Sequence, residues 1–125
     1  MSEQDIEKRV YDCSSKLIME KGFVSPVELL IRMEIITREA SEEWRFRKIP
    51  YLERVTIGNL GKLNHILMAL RKFAKEQNLK PSIMVYQSWG KGTKERLRFS
   101  KTGSQYMEDM YSTHYVRNNS KKLGD

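Results

Sequence analysis

The sequence predicts an α+β chain, mainly α, with one small two-stranded antiparallel hairpin and flanking N- and C-terminal helices. Three observations carry that expectation. Apolar residues recur at helical spacing through the first 77 positions. The period then shortens to an alternation characteristic of strands between residues 82 and 99. Capping residues stand where the helical patterns begin.

The first helix is expected over residues 3–20, where Ile6, Val10, Cys13 and Leu17 fall on one face and Gly22 follows as a stop. Cys13 lies on that apolar stripe and reads as a structural thiol. A second helix starts at Ser25, because Ser25-Pro26-Val27-Glu28 combines an N-cap, a first-turn proline and a capping-box acid. One of its stripes holds Val27, Leu30, Ile31 and Ile35, and another Met33, Ile36, Ala40 and Trp44, so it is expected to run to about Trp44–Arg47 and to be covered on two sides, within the domain or by a partner. The Ile49-Pro50 step ends it. Residues 50–58 hold one or two short turns. A third long helix spans about 59–77, with Leu60, Leu63, Leu67, Leu70 and Ala74 in register, Asn59 as N-cap and Asn78 as a left-handed C-cap before Pro81.

Ser82 to Trp89 then reads as a strand, Gly90-Lys91-Gly92-Thr93-Lys94 as a turn, and Arg96-Leu97-Arg98-Phe99 as the returning strand. The alternation gives that hairpin one apolar face and one cationic face. Thr102-Gly103-Ser104 caps a last helix over about 104–116, whose stripe is Met107, Met110, Tyr111 and His114. Residues 1–117 form one domain by this reading, and 118–125 a flexible polar tail.

Charge narrows the function classes. The chain of 125 residues has a net charge of +7, and the excess is local. Residues 51–78 carry five basic and two acidic residues, and 79–103 six and one. Such a concentration is the electrostatic footprint of a polyanion partner. No apolar run approaches the ~18–20 residues of a membrane-spanning helix, and a single cysteine is consistent with a reducing, cytoplasmic setting. His65 and His114 are the only histidines, sit on separate segments, and assemble no acid–base or metal set. Gly90-Lys91-Gly92-Thr93 lacks the spacing of a phosphate loop and leads into a strand. The expectation is a non-enzyme with no cofactor and no metal. The segment Trp44-Arg45-Phe46-Arg47-Lys48 alternates aromatic and basic residues, which suits stacking on single-stranded bases; packed rings with solvated charges are the simpler reading.

The order of elements over about residues 50–111 resembles that of winged helix-turn-helix proteins. The resemblance rests on Leu67 to Leu79, similar to the end of a recognition helix and the step into a wing, and on Leu97-Arg98-Phe99-Ser100-Lys101-Thr102-Gly103 followed by Tyr106, Met107 and Met110. It implies a small cytoplasmic transcriptional regulator that binds double-stranded DNA as a homodimer, paired through its N-terminal, second or C-terminal helix. It assigns Lys62, Asn64 and His65 to the groove-facing start of the helix at about 59–77, and Lys91, Lys94, Arg96 and Arg98 to a basic wing at about 90–98. The other readings are a protein-interaction module of the same fold and an RNA-binding protein.

Overall fold

The computed structural model describes residues 2–118. Helix α1, Glu3–Lys21, opens on a capping box: the Ser2 hydroxyl accepts from the Asp5 amide and the Asp5 carboxylate accepts from the Ser2 amide. It closes on Gly22 at φ 80°, a left-handed turn that costs glycine no Cβ clash. Strand β1, Phe23–Val24, follows, and α2, Pro26–Arg32, starts where Ser25 caps the Glu28 amide.

The single long second helix is not formed. The chain turns after α2, with Glu34 at φ 63°, and a separate helix α3, Arg38–Arg45, begins at Thr37, whose hydroxyl accepts from the Ala40 amide. Thr37 competes with the helix it would otherwise continue, because its side chain offers the backbone a cap. The break also frees the Ile35 carbonyl to accept from the Ile57 amide at 2.7 Å. Both expected stripes are consumed inside the fold: Met33 and Ile36 are 2% exposed and Trp44 is fully buried. That stripe is therefore not a surface for a partner.

A 3-10 turn at Leu52–Val55 leads to α4, Leu60–Glu76, capped by the Asn59 side chain on the Lys62 amide. Asn78 takes φ 56° and the Leu79 amide returns to the Ala74 carbonyl, which terminates the helix as its sequence anticipates. Helices α1 and α4 pack together, and Val10 and Leu17 on one and Leu63, Ile66, Leu70 and Phe73 on the other are all buried.

The sheet differs from the expected two-stranded hairpin. Strand β2 is Lys80–Ile83, a long connection follows, α5 covers Gln105–Ser112, and β3 is Thr113–Val116. The three strands order β1-β3-β2, all antiparallel, with Phe23 and Lys80 both opposite Val116. The last helix therefore ends four residues early, and His114 lies in the central strand rather than on a helix. Thr113, Tyr115 and Val116 favour the extended state, and β3 gains ladder bonds on both edges that a helix there would forgo. Between residues 82 and 99 the expected hairpin shrinks to one isolated bridge, Gln87 to Arg96. The expected tail beyond Asn118 lies outside the described residues.

Candidate nucleic-acid interface

The connection from Met84 to Ser104 carries the basic cluster, and ring packing holds it in place. The Leu97 amide donates to the Tyr86 carbonyl and the Ser88 amide to the Glu95 carbonyl, each at 2.8 Å. Gly90 and Gly92, at φ 104° and 93°, turn the tip. Leu97 and Phe99 are buried while Arg96 and Arg98 stay exposed, so the alternation read in the sequence holds even though a regular strand does not. Phe99 joins Trp44, Tyr86 and Tyr111 in an aromatic cluster with ring centroids 5.0–5.7 Å apart. The Trp44 indole donates to the Arg98 carbonyl at 2.8 Å. The Glu108 carboxylate accepts from the Phe99 amide, the Ser100 amide and the Ser100 hydroxyl.

This packing brings the end of α3 beside the returning arm. The Trp89 amide donates to the Arg45 carbonyl, and the Arg45 guanidinium lies 4.5 Å from the Tyr86 ring centre and 4.8 Å from that of Trp89. Burial pushes the Arg45 pKa down. Arg47, at φ 62°, pairs with Glu95 at 2.8 Å. The result is a cleft of about 360 Å³ lined by Arg47, Lys48, Ile49, Pro50, Arg96, Leu97 and Arg98. Four of its seven lining residues are cationic and none is acidic.

The seven residues singled out in the sequence divide into two groups. Arg96 and Arg98 line the cleft, and Lys91 and Lys94 stand at the exposed tip beside it. Arg98 is not a free phosphate fork: its guanidinium lies over Tyr51 and donates to the carbonyls of Ser100 and Lys101. Lys94 donates to the Gly90 carbonyl. Lys48 and Arg96 make no side-chain hydrogen bond or ion pair among the described residues. Lys62, Asn64 and His65 belong elsewhere. Asn64 is exposed on α4, Lys62 lies along Gly58, and His65 Nε2 is 3.3 Å from the Glu3 carbonyl at the start of α1. No hydrogen bond, ion pair or ring contact joins this group to the cleft among the described residues.

Arg47 and Lys48 were missed as site residues. Their signal was the alternating segment 44–48, in which Trp44 is core while Phe46 is 49% exposed and edge-on to Trp89, itself 45% exposed. The side chains divide by tertiary contact, which residue type alone does not give.

Among the described residues no helix is long and apolar enough to cross a membrane, and no group of three or more potential ligands is placed to hold a metal. Comparison with protein-family models, with curated proteins and with solved structures returned no match.

Proposed function

We propose that the protein is a small DNA-binding regulator that grips the phosphate backbone of a duplex through the cleft between α3 and the basic loop. The observation that carries the reading is the convergence of Arg47, Lys48, Arg96 and Arg98 on one cleft, with Lys91 and Lys94 extending the charge to the tip. Separate in sequence, the two pairs add their fields only in the fold, and each phosphate they neutralise releases counterions. The winged helix-turn-helix reading belongs to this proposal, with Lys62, Asn64 and His65 at the start of α4 as the base-reading group. Exposed Glu39, Glu42 and Glu43 make α3 unsuitable as the groove-entering helix, since like charges would face the backbone. Since the second helical stripe is internal, two copies would pair through α1 or α5.

The test is fluorescence anisotropy of a labelled random duplex at about 50 and about 200 mM salt. Wild type is expected to lose about tenfold or more in affinity between the two, and Lys48→Glu/Arg96→Glu to lose most binding and flatten the salt slope. Both substituted side chains are exposed, so the variant keeps its fold. No binding at the lower salt overturns the proposal and leaves the cleft to an acidic protein surface. Asn64→Ala is expected to change preference among sequences; an equal loss on every duplex removes it as a reader.

The exposed Phe46–Trp89 pair favours a second reading, in which unpaired bases stack there and the cleft tracks a single strand. Competition decides: a single-stranded competitor that displaces the duplex, with Trp89→Ala abolishing that advantage, selects the second reading. RNA in the same competition separates the two nucleic acids.

A further inference from the structure

Away from the cleft, α4, α5 and the β2–β3 face of the sheet enclose a half-open cavity of about 570 Å³. That volume falls within the range of small-molecule sites. It shares no lining residue with the cationic cleft. Ala74, Leu79, Pro81 and Met110 give it apolar walls, and Arg71, Lys75, Asp109 and Tyr115 supply charge and polarity.

Three of these polar groups have no internal use. Arg71 and Lys75, one helical turn apart on α4, make no ion pair or side-chain hydrogen bond among the described residues. The Tyr115 ring is largely buried, and its hydroxyl, which lines the cavity, makes no hydrogen bond among them either. That hydroxyl is not sealed from solvent, so it is free to donate to a ligand atom in the cavity. Burial pushes the Tyr115 pKa up, opposed by the nearby Arg71 charge, so the tyrosine stays a donor at neutral pH. Asp109 is the one acid of the lining, and its carboxylate already accepts from the Gln105 amide at 2.8 Å.

We propose that this cavity binds a small monocarboxylate with an apolar body. The carboxylate is held by Arg71 and Lys75 and accepts a hydrogen bond from Tyr115, while the body lies against Ala74, Leu79, Pro81 and Met110. With Asp109 the one acid against Arg71 and Lys75, the lining keeps a net positive charge that a neutral ligand would leave unanswered. A dianion would bring a second charge against apolar walls that offer it no donor.

The experiment titrates cinnamate and decanoate, and cinnamamide as the neutral isostere, into the 125-residue chain, read by amide chemical shifts and calorimetry. At least one carboxylate is expected to saturate below about 1 mM and to shift the Leu79, Met110 and Tyr115 amides, with cinnamamide about tenfold or more weaker than cinnamate if cinnamate is the binder. Arg71→Ala is expected to weaken the carboxylate about tenfold, and Tyr115→Phe severalfold with the fold retained by circular dichroism. Absence of saturable binding by both carboxylates overturns the proposal. So does amide binding as tight as the acid, or affinity unchanged in both variants. Duplex binding by Lys48→Glu/Arg96→Glu is scored separately, so failure at one site says nothing about the other.

Discussion

Single residues that join distant segments decide how well the basic loop is held. Trp44 fills the aromatic cluster and its indole caps the Arg98 carbonyl. Trp44→Phe removes the donor, leaves the Arg98 carbonyl only the longer bond from the Leu52 amide, and opens a small void. It is expected to cost about 2–3 kcal/mol, measured by urea denaturation. Neither partner alone predicts that bond, because 54 positions separate them. His114 is a second such residue. Its Nε2 lies 2.6 Å from the Tyr86 hydroxyl, and its ring stacks on Phe23. Burial first, and the Arg45 charge second, lower its pKa below the ordinary 6.5. A base depressed in the folded state binds fewer protons there than when unfolded, so stability falls as the pH drops below about 6.5 and levels off beneath the folded value. His114→Phe is expected to lose that part of the acid dependence, read as a smaller difference in urea midpoint between neutral and mildly acidic buffer. The sequence showed His114 as an apolar-stripe member of a helix. Its tautomer-dependent bond to Tyr86 became visible only with the strand in place.

At the scale of elements, the helix starts were legible and the interruption was not. Ser25-Pro26 and Asn59 announce α2 and α4 because capping is a local hydrogen bond between neighbours in sequence. The stop at Glu34 carries no glycine or proline to mark it. Its φ of 63° is strained for a side chain with a Cβ. Glu34→Gly is expected to leave stability unchanged or raise it by up to about 1 kcal/mol, and Glu34→Val to lower it, each by urea melts. The exposed contact of Glu34 with Arg9, at 3.7 Å, adds little to either outcome. The basic loop is an element without regular hydrogen bonding, so its position rests on ring packing and on side-chain acceptors, Glu108 chief among them. Glu108→Ala strands three donors near Phe99 and Ser100. It is expected to cost about 2–3 kcal/mol and to open residues 88–98 to limited proteolysis before the helices yield.

For the whole molecule, the charge total and its concentration in residues 51–103 belong to the sequence, as do the long helical patterns of α1 and α4, the caps at Ser25, Asn59 and Ser104, and the burial of Leu97 and Phe99 beneath exposed arginines. These are local properties, set by spacing and by bonds a few residues long. Tertiary structure decided the rest. It paired β3 with both β1 and β2, because a central strand satisfies both its edges while a continued helix would have left β1 and β2 without a common partner. It turned the two stripes of the second helical region inward, because the break at residues 33–37 lets α2 and α3 bury separate faces. It set Arg47 and Lys48 beside Arg96 and Arg98, through ring contacts and a backbone bond from Trp89 to Arg45. Local sequence determines which segments curl, where they begin and what charge they carry; which charges share a cleft depends on long-range packing, since a side chain's neighbours in space are fixed by the apolar surfaces that the whole chain buries together.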